Sequence, residues 1–348
     1  MAGTSIYSVY RRTARAAAKQ QVVKKTSNID VERAREDFAY FCDVVGDKPP
    51  AAHHKEWHRY LCTGKDSECL VGIGGPNIDI LAPRGSAKST ILGLYTAWTV
   101  GIHALKKMPL KVLYISYTVD VARPKSAAIK RIIEESKTYR EIFPKVKIAK
   151  GINSNEYWSI DWKFAGIKST GEEEFTVCCA GLKGAVTSKR SHLCIIDDAI
   201  KSADDIKNRD IRQAMQDNWN SVIVPTMFEG GRAICLGTRF RHDDIHNSTF
   251  TPANDWVQIV QSAITVDKDG EEISYWPDMW SLDYLRDRRR QAPVAFSFQY
   301  QNQIIQTSEL SLSPDLVVKG GIATQFDAMG IGVDLSAGIR EQNDFTAF

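Results

Sequence analysis

A short apolar run, a tight loop and a long apolar helix follow one another between residues 78 and 104. Residues 78–82 are apolar enough for a strand that is buried in a parallel sheet. A loop at residues 83–87 comes next, and the helix predicted from Ser89 to Ala104 begins directly after it. A buried strand that enters a helix through so short a loop is typical of α/β folds. This segment therefore restricts the chain to that class.

Four further apolar runs have the length and composition of strands. They are residues 111–116, 175–179, 192–197 and 232–237. Segments of helical character lie between them, among them residues 119–137 and 206–219. Strands that alternate with helices predict a central, mainly parallel sheet that is flanked by helices.

The composition is that of a globular protein. Lys and Arg number 45 and Asp and Glu 42, so the net charge of +3 does not by itself indicate a nucleic-acid binder. The 7 cysteines include no C-x-x-C pair, which favours reduced thiols and argues against a zinc site. No apolar run approaches the roughly 20 residues that span a bilayer, and the N-terminus lacks the apolar core of a signal peptide. We therefore expect a cytoplasmic protein without membrane contact.

The loop after the first strand has the composition of a nucleotide-phosphate site. Its backbone N–H groups and the start of the helix would face the phosphates, and Lys88 would reach the β- and γ-phosphates. The hydroxyl of Ser89, or less favourably that of Thr90, would bind Mg²⁺. The predicted nucleotide-binding residues are Arg84, Gly85, Ser86, Ala87, Lys88, Ser89 and Thr90.

The strict phosphate-loop pattern requires glycine at positions 82 and 87, where this chain has alanine. Ala87 restricts a backbone position that glycine usually occupies. The pattern alone therefore leaves a chance Lys-Ser-Thr at a helix start as a rival. The strand–loop–helix context favours the phosphate loop.

An acidic pair, Asp197-Asp198, ends the apolar run at residues 192–197. A parallel strand carries its last residues to the carboxyl edge of the sheet, beside the phosphate loop. Asp197 would bind Mg²⁺, and Asp198 would orient or deprotonate the attacking water. Motor ATPases more often have Glu in the second role. The alternative is a strand end with two solvated acids, which the upstream loop makes less favoured.

The run at residues 232–237 ends in Gly237 and Thr238. A polar side chain at this point could sense the γ-phosphate and transmit its loss to the rest of the domain. Without the other motifs, an ordinary exit from a strand is an equally good interpretation.

Several ordered motifs together resemble the large terminase subunit of tailed bacteriophages. They are residues 82–90, 114–118 with Ala122, 181–185 ahead of 195–198, 236–240 with Asp243-Asp244, 296–301, 332–336 and 344–347. The likeness covers about residues 50 to 348. Each motif is weak alone, and their order carries the resemblance. It implies a P-loop NTPase fold of the ASCE or RecA-like kind, followed by the start of an RNase H-like nuclease domain.

The resemblance implies an ATPase motor that drives viral DNA through a portal into a procapsid, and a two-metal nuclease that cuts concatemeric DNA. Carried over by position, Lys88 and Ser89 bind phosphate and Mg²⁺, Asp197 binds Mg²⁺, Asp198 is the catalytic carboxylate, Thr238 is the coupling residue, and Arg84 contacts the γ-phosphate region. Arg190 is a candidate to act from a neighbouring subunit, and a surface role suits it equally. His54, Trp57 and His58 lie in the adenine-side region, where packing is the favoured interpretation.

The same resemblance implies ATP and Mg²⁺ as cofactors, and a divalent metal for the nuclease. The implied partners are double-stranded DNA, the portal protein and the small terminase subunit. A homo-oligomer, a pentamer on the procapsid, is implied as well. The implied location is the host cytoplasm, transiently at the portal and not in the mature virion.

We predict four segments along the chain. Residues 1–45 form a basic tail, favoured as solvated over DNA-binding, and a lead-in helix. Residues 46–310 form the motor domain, 311–329 a linker, and 330–348 the first strands of an incomplete nuclease domain. Asp334 would be its first metal ligand, and Asp344 lies in matching context. Because the remaining acids are missing, we expect a truncated chain without DNA cleavage and with poor order at residues 330–348.

Two weaker signals remain. His242 and His246 are spaced for one helical face, but a solvated turn is favoured over a metal site. Basic residues that could touch DNA phosphates are Lys106, Lys107, Arg286, Arg288, Arg289 and Arg290, although solvated helix faces explain most such runs. The rival functions are another DNA-stimulated ATPase, such as a helicase, and a non-catalytic assembly protein with a degenerate nucleotide site.

Overall fold

An eight-stranded sheet organises the computed structural model. The structure describes residues 29–46, 49–62, 75–169, 174–184, 189–251 and 254–303. The chain divides into two compact units, Met1–Ile305 and Gln306–Phe348, and all described residues lie in the first. The predicted basic tail, the linker at 311–329 and the nuclease start, with Asp334 and Asp344, lie outside the described residues.

The strands of the large sheet come from across the whole described part of the chain. Their bounds are β1 Asn77–Leu81, β2 Val112–Ser116, β3 Ile148–Asn153, β4 Tyr157–Ile160, β5 Val177–Gly181, β6 Ser191–Asp197, β7 Met227–Gly237 and β8 Trp256–Val260. Their order is β3-β4-β5-β2-β6-β7-β1-β8. The six strands from β5 to β8 are parallel, whereas β3 and β4 form an antiparallel edge. A separate antiparallel pair consists of β9 Ile264–Val266 and β10 Glu272–Ser274.

Eleven α-helices lie before, between and after the strands in the described part of the sequence. Their bounds are α1 Val31–Glu36, α2 Phe38–Val45, α3 Ala52–Cys62, α4 Lys88–Leu105, α5 Val119–Glu135, α6 Lys137–Ile142, α7 Trp162–Ala165, α8 Arg209–Asn218, α9 Ile245–Ser248, α10 Leu282–Gln291 and α11 Pro293–Gln299. None of the helices in the described ranges combines the length and the apolar content that a bilayer span requires.

The position of β7 determines the geometry of the edge that carries the motifs. It lies between the loop strand β1 and the acid strand β6, with Leu236 opposite both Ile80 and Asp197. The predicted α/β class, with a mainly parallel central sheet and flanking helices, is therefore confirmed.

Two apolar cores lie on opposite faces of the sheet. In β2, Val112 and Tyr114 belong to the first core, and Leu113 and Ile115 belong to the second. This alternation follows from the two-residue period of a strand, and both faces are buried because helices cover a parallel sheet on each side. Helix α4 packs in the first core, which explains why it is apolar along most of its length.

Two predicted helices are divided in the structure. The lead-in helix expected within residues 1–45 breaks at Asp37, whose carboxylate accepts a 3.1 Å hydrogen bond from the backbone of Tyr40 and caps α2. The helix expected over residues 119–137 ends at Glu135. Ser136 then caps α6 by accepting from the backbone of Tyr139 at 3.2 Å. Both breaks have a local cause, a short polar side chain that competes for backbone N–H groups.

Candidate functional site

Three parallel strands bring the predicted motifs to one edge of the sheet. The loop after β1, the acids at the end of β6 and Thr238 after β7 all leave the sheet at its carboxyl edge. Crevices at this edge are where α/β proteins bind their ligands. The edge brings together the predicted residues Lys88, Ser89, Asp197, Asp198 and Thr238.

Two residues of the loop have positive φ, although glycine is missing at positions 82 and 87. Ala87 has φ 61° and ψ 27°, a left-handed conformation, and caps the N-terminus of α4. Glycine is usual at such a position because a Cβ atom disfavours positive φ. Gly85 has φ 80°. Ala82 does not have a positive φ, so glycine is not required there.

Two loop N–H groups that were predicted to face phosphates have partners within the protein. The N–H of Arg84 donates to the carbonyl of Gln299 at 2.9 Å, and that of Ser86 donates to the carbonyl of Pro83 at 3.2 Å. The Arg84 side chain is exposed, and its guanidinium donates to Gln299 Oε1 at 3.1 Å. Arg84 therefore ties the loop to the end of α11.

His54 and Trp280 both donate hydrogen bonds to carbonyl groups of the loop. His54 Nδ1 accepts from the backbone of Ala51 at 3.1 Å, so Nε2 carries the hydrogen and donates to Ser86 O at 2.8 Å. Burial lowers the pKa of His54, which agrees with this neutral tautomer. Trp280 Nε1 donates to Gly85 O at 3.2 Å. A Cβ atom at Gly85 would lie 2.6 Å from Trp280 Cζ2.

Lys88 lies inside the loop with its ammonium group almost fully buried. Its Nζ donates to Thr238 Oγ1 at 2.9 Å, to Pro83 O at 3.2 Å and to Ala82 O at 3.3 Å. Asp198 Oδ1 lies 3.8 Å away. Burial lowers the pKa of Lys88, and the charge of Asp198 opposes that shift. These contacts fix the position of Lys88 Nζ at the centre of the loop.

Asp197 is fully buried and its carboxylate has three partners. Oδ1 accepts from Ser89 Oγ at 2.9 Å, and Oδ2 accepts from Tyr114 OH at 2.7 Å. Lys125 Nζ lies 3.0 Å from Oδ2. Burial raises the pKa of Asp197, and Lys125 counteracts the rise.

Asp198 directly follows β6, and the backbone turns at this residue. Its φ of 51° is left-handed, and its N–H donates to the carbonyl of Leu236 at 3.0 Å. Its side chain is 38% exposed, whereas that of Asp197 is buried. The turn thus gives the two adjacent acids different surroundings, one inside the sheet edge and one open to solvent beside Lys88.

The donor set fits a magnesium ion. Ser89 Oγ and Asp197 Oδ1 lie 2.9 Å apart, and hydroxyl and carboxylate oxygens are the hard ligands that Mg²⁺ takes in proteins. A cavity of about 590 Å³ between α4 and α5 begins at Ser89 and Thr90 and extends past Lys125 to Arg131.

The segment after β7 connects Thr238 to the last described residues. The N–H of Arg239 donates to Asn302 Oδ1 at 3.1 Å, and its guanidinium donates to Asn302 O at 3.2 Å. Asp243 pairs with Arg212 of α8 at 2.6 Å. Thr238 therefore begins a segment that is fixed at both of these points.

The remaining candidates lie apart from this edge or serve to pack it. Arg190 precedes β6, at the opposite edge from the acids, with its guanidinium 5.4 Å from the centre of the Phe228 ring. His54, Trp57 and His58 are all buried. Packing, the interpretation favoured from the sequence, accounts for their burial.

The interpretation of His246 as part of a solvated turn is wrong. His246 is fully buried, and its Nδ1 lies 2.9 Å from Asp79 Oδ1, whereas His242 is exposed. Asp79, Cys235 and His246 form a buried group whose ligand atoms lie within 4.8 Å of one another. Asp79 and His246 already bond to each other. The pairing was not visible in the sequence because the two residues lie on different elements.

Several of the arginines considered for DNA contact have acidic partners. Arg286 and Arg289 both bind Glu272, at 2.9 Å and 2.7 Å, and lower the pKa of that carboxyl to about 2. Arg290 pairs with Asp287. Lys106 and Lys107 are exposed. These ion pairs leave less of the α10 charge for a nucleic-acid partner.

Several residues that support the site had no role assigned to them from the sequence. Tyr114 and Ser116 lie on one face of β2, and Ser116 Oγ donates to the Asp197 carbonyl at 2.7 Å. Polar residues two apart in a buried strand were an available signal. Lys125 and Trp280 had no such signal, because they approach from distant elements.

The loop, the strand order and the acid strand together define a P-loop NTPase fold. Solved structures similar to this chain include the large terminase ATPase domain of Thermus phage P74-26, in a mutant form, at 12% identity and a TM-score of 0.44, covering 76% of this chain and 98% of that chain. Another is the large terminase of bacteriophage HK97, at 14% identity and a TM-score of 0.46, covering 81% of this chain and 58% of that chain. The chain thus spans just over half of the HK97 protein. No protein-family model and no curated protein matches it.

Proposed function

We propose that this chain is the ATPase motor of a viral DNA-packaging terminase, which hydrolyses ATP to move double-stranded DNA into a procapsid. The observation that carries the proposal is the convergence of Lys88, Ser89, Asp197, Asp198 and Thr238 at one sheet edge. The ordered terminase-like motifs supply the specific motor class. DNA cleavage stays a prediction of the resemblance, because Asp334 and Asp344 lie outside the described residues.

The side chains divide the work of phosphoryl transfer. Lys88 places an ammonium group at the centre of the loop, where it would bind the β- and γ-phosphates. Ser89 and Asp197 would hold Mg²⁺, which neutralises phosphate charge when bound. Asp198, exposed beside Lys88, would orient the attacking water or take its proton. Thr238 would respond to the γ-phosphate through Lys88.

The backbone at position 87 supports a working loop over a degenerate one. Ala87 takes the left-handed conformation even though its Cβ atom disfavours it. Strain of this kind persists only where surrounding structure maintains it, and it is common at functional sites. The left-handed conformation of Ala87 therefore favours a functional loop.

ATP turnover tests the enzymatic part of the proposal. The wild-type chain should hydrolyse ATP in a Mg²⁺-dependent reaction, and Lys88→Ala should lose nearly all of it. Lys268→Ala, which removes an exposed lysine from a distant turn, is the matched control. Equal turnover in Lys88→Ala and wild type would contradict the proposal. Basal turnover should be low if an arginine from a neighbouring subunit is required.

DNA substrates separate a packaging motor from a helicase. A double-stranded DNA translocase should displace a third strand from a triplex without separating the duplex, and a helicase should unwind a forked duplex. Assembly with a portal and a small terminase subunit, and a pentameric ring, are proposed on the family resemblance alone. Portal-bearing procapsids are the assay for them, with protection of packaged DNA from nuclease as the signal.

A further inference from the structure

A lysine from α5 reaches the buried acid of the phosphate site. Lys125 Nζ lies 3.0 Å from Asp197 Oδ2, and it donates to the Asp197 carbonyl at 3.0 Å and to Ser116 Oγ at 3.3 Å. An ammonium group has three N–H donors, and these three acceptors match them in number. The Lys125 side chain is 18% exposed and lines the cavity beside Ser89.

The contacts of Asp197 distinguish its two carboxylate oxygens. Tyr114 and Lys125 both contact Oδ2, and Ser89 contacts Oδ1. The terminal torsion of an Asp side chain is broad and nearly two-fold, so a single contact would not determine which oxygen faces Ser89. With Oδ2 held by β2 and α5, Oδ1 is the oxygen directed towards the predicted metal ligand.

Each acid of the Asp197-Asp198 pair has a lysine beside it. Lys88 lies beside Asp198 at 3.8 Å, and Lys125 lies beside Asp197. Loss of one partner of a buried pair leaves a charge without compensation, which is costly. Asp197 is fully buried, whereas Asp198 is partly exposed to water. The position of Asp197 therefore depends more strongly on its lysine partner.

We propose that Lys125 is a positioning residue of the nucleotide site, which holds the Asp197 carboxylate with Oδ1 towards Ser89 in readiness for Mg²⁺. The inference rests on the proposed function, because it takes Ser89 and Asp197 as the magnesium ligands. Residues that orient metal ligands from outside typically change metal affinity by about 10–100-fold when they are replaced. Lys125 should have an effect of that size.

The test measures how binding of a fluorescent, non-hydrolysable ATP analogue depends on Mg²⁺ concentration. Lys125→Met should need at least about tenfold more Mg²⁺ for half-maximal binding, while binding in excess EDTA should remain within about threefold of wild type. Lys125→Arg should recover most of the Mg²⁺ sensitivity. Lys130→Met is the matched control, because Lys130 lies on the same helix and bonds instead to Asn153 Oδ1 at 2.8 Å.

Tyr114→Phe provides a second variant that keeps every charge. It removes the other contact to Oδ2, at 2.7 Å, and should raise the Mg²⁺ requirement in the same direction by a smaller factor. If Lys125→Met does not fold, Lys125→Gln takes its place in the assay, and Tyr114→Phe tests separately whether the contacts to Oδ2 orient Asp197. An unchanged Mg²⁺ requirement in the folded variants would overturn the role of Lys125.

The outcome for the wild-type chain separates this inference from the proposed function. If wild type binds the analogue with no dependence on Mg²⁺, or does not bind it, the proposed function fails and the inference fails with it. If wild type shows the dependence and Lys125→Met is indistinguishable from it, only the inference fails. A rise in Lys130→Met equal to that in Lys125→Met would also count against it.

Discussion

Lys88 Nζ donates a 2.9 Å hydrogen bond to Thr238 Oγ1, although the two residues are 150 positions apart in the sequence. The bond joins the first turn of α4 to the end of β7. Lys88 is also the residue proposed to bind the nucleotide phosphates. A movement of Lys88 that changes its contacts with phosphate would therefore also change its hydrogen bond with Thr238.

Replacing Thr238 should separate nucleotide binding from turnover. Thr238→Val removes the hydroxyl that accepts from Lys88, and binding should stay within a few-fold of wild type because the loop remains. Turnover should fall by about tenfold or more, corresponding to about 1.4 kcal/mol or more in the activation free energy. Thr238→Ser keeps the hydroxyl and should retain most activity. A loss of binding that matches the loss of turnover would show that the hydroxyl acts in the ground state.

Ala87→Gly should stabilise the protein. A non-glycine residue in the left-handed conformation costs about 1–2 kcal/mol, and glycine adds an entropic cost of about 0.5–1 kcal/mol. The net gain in the free energy of unfolding should be about 0.5–1 kcal/mol, measured by urea denaturation. Ala127→Gly, in the middle of α5, is the opposite control and should cost about 1 kcal/mol. A destabilised Ala87→Gly variant would mean that position 87 is not strained.

Gly85→Ala should lower the free energy of unfolding more than Gly270→Ala does. Gly85 and Gly270 have φ values of 80° and 86°, so an alanine at either position meets the same backbone penalty. Only at Gly85 would the new Cβ atom approach another side chain, at 2.6 Å from Trp280. The free energy of unfolding should fall by about 1–3 kcal/mol more than in Gly270→Ala. Equal losses would indicate that Trp280 moves away without cost.

The pair of Asp79 and His246 should make stability depend on pH. Burial lowers the pKa of His246, but the charge and hydrogen bond of Asp79 outweigh it, so the pKa is raised above 6.5. A raised histidine pKa contributes stability that is fully present below the unfolded value and is lost as the pH rises through the folded value. The difference in unfolding free energy between wild type and His246→Gln should therefore be largest in acid and shrink towards alkaline pH.

Urea denaturation of both proteins between about pH 5.5 and 9 measures this difference. A constant difference over that range would refute the ion pair. A difference that appears only with added Zn²⁺ would instead favour metal binding by Asp79, Cys235 and His246, which form the buried ligand group of the described ranges.

Local patterns predicted the strands and the motif positions, because burial in a parallel sheet requires continuous apolar runs. The run at residues 192–197 corresponds to β6, Ser191–Asp197, and its terminal acids lie at the expected edge. The order of the strands was not predictable to the same degree. It depends on pairings between distant segments, such as Ile80 with Leu236, for which no local pattern exists.

The sequence showed polar residues in β2, but it could not show which acid their side chains contact. Asp197 was predicted to be a metal ligand, but the side chains that orient it come from β2 and α5. Ala87 was expected to restrict the loop, yet the structure accepts the left-handed conformation there. His246 was misjudged because its partner, Asp79, occupies a strand that reads as apolar.

The last described residues are held at two points of the nucleotide site. Gln299 is bonded to Arg84 of the loop, and Asn302 is bonded to Arg239 after Thr238. The loop after β1 and the segment after β7 thus both bind the same short stretch of chain. If one contact shifts while the other holds, the stretch must pivot about the fixed point. A small displacement at one of the two contacts would then rotate residues 299–302 about the other.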